Sequence, residues 1–178
     1  MTNNIENGYP QTRSLDDTRR LHLFDSFTGL PRISDSDTNN PHVINDSWFE
    51  GALTGLSADD LLAEVGVHID PHKVHIHEGY FSQTLPQIDP TTRFALIHLD
   101  CDLYSSSFDV LDFLLKNNLV SEGCYLFLDD FLMARASPDK GMRAAFEKVL
   151  KKYTVEVTDV GGYGLFSKKV IIHSYRRN

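Results

Sequence analysis

Carboxylates are concentrated in two stretches of the chain. HLDCDLYSSS, residues 98–107, ends the apolar run FALIHL and sets Asp100 and Asp102 one residue apart. CYLFLDD, residues 124–130, repeats the arrangement, an apolar run closing on Asp129 and Asp130. A third apolar run, LHLFD at residues 21–25, also stops at an acid, Asp25. Short continuous apolar runs read as strands buried on both faces of a parallel sheet. In open parallel sheets ligands bind beyond the carboxyl ends of the strands, where all these acids fall. The runs at 94–99 and 124–128 flank one helical pattern of a length suited to a right-handed crossover, so adjacent strands bring Asp100 to Asp129 or Asp130. Carboxylates gathered at one point raise one another's pKa unless a cation lies between them. An all-oxygen donor set suits Mg²⁺, Ca²⁺ or Mn²⁺ rather than zinc, and such an ion orients a substrate and acidifies its hydroxyl. Acids at strand ends also cap the next helix, and Asp102, ahead of Tyr104 and Ser105, is placed for that role. The agreement of two strand ends favours a cation for Asp100, Asp129 and Asp130 taken together.

Several elements must position these acids. Residues 57–66 read as a helix capped by Ser57, with a stripe of Leu61, Leu62 and Val65 and a stop at Gly66. KVHIHEG, residues 73–79, alternates as a strand does. Residues 105–115 predict a helix with Phe108, Leu111, Leu114 and Leu115 inward, and residues 142–153 a helix whose basic end suits its dipole. TVEVTDV, GGYG and LFSKKVIIHS read as a hairpin turning at Gly161 and Gly162. Strands alternating with helices imply an α/β fold on a mostly parallel sheet, closed by an antiparallel edge. Residues 32–47 form a polar loop long enough to signal function. Residues 1–13 are polar and aperiodic, a flexible segment ahead of a single domain over 14–178, with Ser14, Asp16 and Asp17 placed to cap a turn.

At 178 residues, 41% hydrophobic and 24% charged, the chain has material for one ordinary core. A net charge of −8 argues against non-specific nucleic-acid binding. No apolar run approaches the ~18 residues of a membrane span, and the polar N-terminus does not read as a secretory signal. Cys101 and Cys124, both assigned to buried strands, suggest a reducing cytoplasm rather than a disulfide framework. Cys101 between two acids is a poor thiolate and is not read as a nucleophile. His75 and His77 share a strand face; zinc binding is possible chemistry there, but a half-exposed face is the commoner outcome. Lys151, Lys152, Lys168 and Lys169 read as solvated faces.

The same residues carry a family likeness. HLDCDLYSSSFDVLDFLL, followed by SEGCYLFLDDF, resembles the macrocin O-methyltransferases, which use S-adenosylmethionine (SAM) and a divalent metal to methylate sugar hydroxyls. LFDSFTGLP, the W-x-x-G of residues 48–51, the Ser-capped helix, HEGYFSQTLP and GMRAAFEKVL match in order and spacing, so the resemblance covers about residues 15–166. It implies a Rossmann-like class I methyltransferase fold. It also implies roles: Asp100, Asp129 and Asp130 as ligands of Mg²⁺ or another divalent cation; Asp100 as proton acceptor; Asp25, with Ser26 beside it, at the SAM ribose; Gly79, Tyr80 and Phe81 near the adenine; and residues 32–50 as a mobile lid over a small-molecule hydroxyl acceptor. An aromatic pair after a strand-ending glycine is equally a core feature.

One part of the family pattern is not found. Its first strand and glycine-rich turn would precede Asp25, yet residues 1–20 hold one glycine, Gly8, and no apolar strand. SLDDTRR resembles only the tail of the family's first helix. The expectation is a sheet with unpaired edges, in a chain that is truncated, degenerate, or completed by a homo-oligomer or another chain. Two further readings stay open. One is a non-catalytic methyltransferase-like binding or scaffold module. The other is an Asp-x-Asp hydrolase or phosphotransferase with Asp100 as nucleophile and Asp102 as acid–base, for which no phosphate-binding motif completes the site.

Overall fold

The computed structural model describes residues 19–176. The predicted flexible segment 1–13, Gly8 and the predicted cap at Ser14, Asp16 and Asp17 lie outside them.

The elements are β1 (Leu21–Asp25), α1 (Pro41–Ile44), α2 (Ala58–Gly66), β2 (Val74–Glu78), α3 (Phe81–Thr84), β3 (Phe94–Leu99), α4 (Tyr104–Lys116), β4 (Val120–Leu128), α5 (Gly141–Tyr153), β5 (Glu156–Gly161) and β6 (Lys168–Ser174). They form an α/β fold, but the strands do not make one sheet. β1 and β2 pair in parallel as a two-stranded sheet, while β3, β4, β6 and β5 form a separate four-stranded sheet in that order. β3 and β4 are parallel, and β4–β6 and β6–β5 antiparallel. No backbone hydrogen bond joins β1 to β3 among the described residues.

The larger sheet owns the main core. Cys124, Leu126 and Leu128 of β4 point to one face and are fully buried with Val170 and Ile172 of β6. Against that face pack Leu111, Leu114 and Leu115 of α4 and Met142, Phe146 and Val149 of α5, the amphipathic stripes read from the sequence. The Tyr153 hydroxyl donates to Asp112 Oδ1 at 2.8 Å and ties the end of α5 to α4. Successive strand residues face opposite ways, so the other face of this sheet carries Leu96, 60% exposed, and Tyr125, 43% exposed. β1 and β2 contain no fully buried residue.

Local signals mostly hold. Ser57 caps α2, its hydroxyl accepting the Asp60 N–H at 3.2 Å. The predicted hairpin forms over β5 and β6, with Gly161 at φ +95. The strand at 124–130 begins earlier, at Val120, and stops at Leu128, leaving Asp129 and Asp130 in the turn beyond it. Cys101 is not in a strand: β3 ends at Leu99, and both cysteines are free thiols. The lysines are not all solvated: Lys168 pairs with Asp159 at 2.7 Å and lies over the Phe131 ring, and Lys152 pairs with Asp112. No described helix is long and apolar enough to cross a membrane.

Candidate active site

The ends of β1 and β2 make one rim of a cleft. Asp25 closes β1, its carbonyl accepting the Gly79 N–H at 2.9 Å, so the two strand ends are tied together. Asp25 Oδ1 accepts the Phe27 N–H at 2.6 Å, which turns the chain sharply and leaves the second carboxylate oxygen for a ligand. The Ser26 hydroxyl donates to the Gly29 carbonyl at 2.7 Å. Gly29, at φ +86, sits where a Cβ would fall 2.4 Å from the Ala52 carbonyl oxygen, so only glycine lets the two chain segments close. Gly79, at φ +132, makes the corresponding turn out of β2 and leads to Tyr80 and Phe81.

The ends of β3 and β4 make the other rim. The Asp129 N–H donates to the Leu99 carbonyl at 3.0 Å and brings the two acidic turns together. Burial, then repulsion from Asp129, raises the Asp100 pKa above the usual carboxylate range. Burial, then Asp100, raises that of Asp130. Asp102 is pushed to about 7 by burial, then by Asp130 and Asp100. Its backbone is in the left-handed region at φ +59, which a non-glycine residue adopts only under local constraint. The capping role read for Asp102 is not what forms. Leu103 occupies the cap position of α4 without a side-chain bond. The helix N-terminus is instead satisfied from far away in sequence: Asp37 Oδ1, on a residue 1% exposed, accepts the Tyr104 N–H at 2.7 Å.

That bond also ties residues 32–50, the segment expected as a mobile lid, to the start of α4. The segment folds around buried Asp37, Asn40 and Trp48, with the Ser34 hydroxyl donating to Asp37 Oδ2 at 2.6 Å and Asn40 capping α1. Sequence reading missed Asp37 because nothing local distinguishes it from its polar neighbours. It also missed Tyr163, whose hydroxyl donates to Asp129 Oδ1 at 2.8 Å and lies 3.2 Å from His98 Nε2. Within the turn GGYG, Tyr163 was read only as part of a hairpin. Burial and the Asp129 carboxylate push its hydroxyl pKa up. Burial pushes the Cys101 thiol up to about 12, in keeping with an inert cysteine.

Between the rims lies a cavity of about 740 Å³. Its wall includes Asp25, Ser26, Gly79, Tyr80 and Phe81 on one side and Asp100 and Asp102 on the other, with Arg32 and Leu53 from the loop. Asp129 and Asp130 are outside the wall and act on it through Asp100 and Asp102. The structure therefore brings the sequence-derived residues to two facing rims. The donor set suits a hard divalent cation: it is all carboxylate oxygen, like charges repel within it, and Asp130 Oδ2 is buried without a hydrogen-bond partner. As placed, no three acidic, histidine or cysteine side chains among the described residues are arranged to hold an ion. The histidine face is real but is likewise no ligand set: His22 Nδ1 lies 3.0 Å from His77 Nε2, and His22 stacks on His75 at 4.9 Å.

Residues 7–169 match the family described as Macrocin-O-methyltransferase (TylF). The chain belongs to that family. A curated relative from Streptomyces olivaceus, 8-demethyl-8-(2,3-dimethoxy-alpha-L-rhamnosyl)-tetracenomycin-C 4'-O-methyltransferase, is 27% identical over 158 residues, 85% of this chain and 55% of that protein. The chain thus spans about half the length of the curated relative it matches. Among solved structures, the O-methyltransferase NovP superposes with a TM-score of 0.66 at 21% identity, covering 90% of this chain and 61% of that one. That likeness gives the fold: a class I methyltransferase architecture, here with its sheet in two parts.

Proposed function

We propose that this macrocin O-methyltransferase family chain carries the acceptor-activating half, and part of the cofactor rim, of a SAM-dependent O-methyltransferase acting on a sugar or other polyhydroxyl compound. The observation that carries this reading is the cavity shared by the two rims: Asp25, Gly79 and Tyr80 face Asp100 and Asp102 across it. SAM would supply a methyl group already activated on a sulfonium. A cation on Asp100, Asp129 and Asp130 would supply positive charge that acidifies an alcohol.

The chain's own residues supply the rest. Asp25 accepts from the ribose hydroxyls through the oxygen that Phe27 leaves free. Tyr80 and Phe81 offer an aromatic edge to the adenine. Tyr163 holds Asp129 in place through its hydroxyl. Asp100, on the cavity wall, would take the proton of the acceptor hydroxyl as its oxygen bonds the methyl carbon and the methyl–sulfur bond breaks, leaving the demethylated thioether. The gain is mainly proximity and electrostatics, because donor and nucleophile meet between two fixed strand ends.

Calorimetric titration of SAM, and of its demethylated product, into the chain with Mg²⁺ tests this reading. Micromolar binding that Asp25→Asn weakens about tenfold supports it. The split sheet favours a second reading, a binding module that retains the acidic site without catalysis. Mg²⁺ binding to a folded chain with no SAM binding would select that module.

A further inference from the structure

The turn between β5 and β6 is built to hold one side chain. Ser167, 4% exposed, accepts through its Oγ the N–H of Tyr163 at 2.9 Å and that of Gly164. The turn closes so tightly on this serine that a Cβ at Gly162 would fall 3.2 Å from the Ser167 carbonyl oxygen. The Leu132 N–H donates to the Phe166 carbonyl at 2.7 Å, which ties the turn to the segment after Asp130. The Tyr163 ring meets Phe127 of β4 edge to face at 5.2 Å. A residue of the hairpin is thereby fixed beside the acidic end of β4.

Three polar groups meet there. The Tyr163 hydroxyl has one proton and donates it to Asp129 Oδ1 at 2.8 Å. The same hydroxyl oxygen lies 3.2 Å from His98 Nε2, so in that contact the imidazole N–H is the donor. His98 Nε2 is 3.9 Å from Asp129 Oδ1 and acts on it through the tyrosine. Successive hydrogen bonds of this kind polarise one another, and the chain from His98 through Tyr163 fixes which oxygen of Asp129 is engaged. Among the described residues no hydrogen bond engages Asp129 Oδ2. The His98 and Asp129 side chains are 50% and 42% exposed, so the chain contributes little to folding stability.

We propose that Tyr163 and His98 are positioning residues that determine which divalent cation the acidic rim accepts, favouring Mg²⁺ and Mn²⁺ over Ca²⁺. This rests on the reading of Asp100, Asp129 and Asp130 as cation ligands, which the buried, unpartnered Asp130 Oδ2 supports. With Oδ1 engaged by the tyrosine, Asp129 has one oxygen left to offer. Mg²⁺ is satisfied by single oxygens and keeps several waters, whereas Ca²⁺ takes more oxygens and draws on bidentate carboxylates. Removing the hydroxyl returns the second oxygen of Asp129 and with it the tolerance of Ca²⁺. Hydrogen-bond partners behind a ligand tune affinity as well as orientation.

The test is Mn²⁺ binding to the 178-residue chain without SAM, read by the electron paramagnetic resonance signal of free Mn²⁺, with Mg²⁺ and Ca²⁺ as competitors. For the unaltered chain Mg²⁺ should displace Mn²⁺ at least about tenfold better than Ca²⁺ does. Tyr163→Phe keeps the ring against Phe127; it should weaken Mn²⁺ about tenfold and bring the two competitors within about threefold of each other. The melting temperature in metal-free buffer should stay within about 2 °C, because an exposed hydrogen bond is all that is lost. His98→Ala should narrow the preference in the same direction, and His98→Gln, which keeps a side-chain N–H donor, should restore most of it. An unchanged ratio in both Tyr163→Phe and His98→Ala would overturn the inference alone and leave the cation reading standing. A fall in metal-free melting temperature with the preference intact would overturn it in favour of a structural role. No Mn²⁺ binding to the unaltered chain, shown to be folded by circular dichroism, would overturn the cation reading and this inference together.

Discussion

The two sheets of this chain end in the same cavity but are stabilised in different ways. The four-stranded sheet is backed by α4 and α5, and its β4 residues Cys124, Leu126 and Leu128 have no solvent exposure at all. The two-stranded sheet has no buried strand residue, and it is held by turns: Gly79 N–H to the Asp25 carbonyl, Leu30 N–H to the Ala52 carbonyl at 2.8 Å, and the ring stack of Phe24 on His77 at 4.2 Å. An isolated two-stranded sheet is marginal in water. The acidic rim therefore sits on a core of its own, whereas the Asp25 rim depends on neighbours. The difference teaches that in this fold the acidic rim is held by a core of its own, and that the Asp25 rim is the part most sensitive to what lies beside β1.

The largest expected effect falls on the acidic rim. Asp100→Asn should reduce methyl transfer by about 100-fold or more in whichever assembly is active, while leaving the melting temperature unchanged or higher because a repelled carboxylate is removed. A lowered melting temperature would show that Asp100 is structural, and the comparison between rims would fail.

Stability mutants probe the two sheets directly. Leu126→Ala removes a fully buried side chain between α4, α5 and β6 and should cost about 3 kcal/mol in urea unfolding. Leu23→Ala, in a strand with no buried residue, should cost under about 1 kcal/mol and speed exchange only in residues 21–25 and 74–78. Comparable losses from both would mean that the sheets share one core.

The pH dependence sharpens the same contrast. Asp102 is raised to about 7 when folded, against roughly 3.9 in an unfolded chain. Between those values the folded state binds the extra proton, so stability falls as pH rises from about 4 through 7. Melting should drop by roughly 5 °C between pH 5 and pH 8, and Mg²⁺ should restore part of the loss at pH 8 by offsetting the repulsion. Asp102→Asn should flatten the profile; an unchanged profile would place the titration elsewhere.

The smallest effect concerns the bridge between loop and helix. Asp37→Ala leaves the first N–H groups of α4 without their buried acceptor and should cost about 1–2 kcal/mol. Asp37→Asn, which keeps an acceptor oxygen, should recover about half of it. Equal damage from both would show that the charge, rather than the hydrogen bond, matters at the helix N-terminus.

Much of this was legible in the sequence. The apolar runs at 21–25, 94–99 and 124–128 located three strands, because a strand buried by its neighbours must be apolar wherever it is covered. Amphipathic stripes located α4 and α5, and Ser57 marked the start of α2. The grouping of Asp100, Asp102, Asp129 and Asp130 followed from strand ends joined by one crossover. The cap of α4 was not legible. Asp102 is the nearest acid in sequence, but Asp37, 67 residues away, is the one that bonds Tyr104. Tyr163 reaches Asp129 only because the β5–β6 turn folds over the end of β4.

By itself, the sequence determined which segments are strands and helices and which acids stand at the strand ends, since periodicity and local propensity are properties of neighbouring residues. Only the tertiary structure decided that the strands form two sheets, that a distant aspartate caps α4, and that burial raises the pKa of both Asp102 and Asp130. Those outcomes depend on which edges find partners and which carboxylates are desolvated together, and both are settled by distances between residues far apart in the chain.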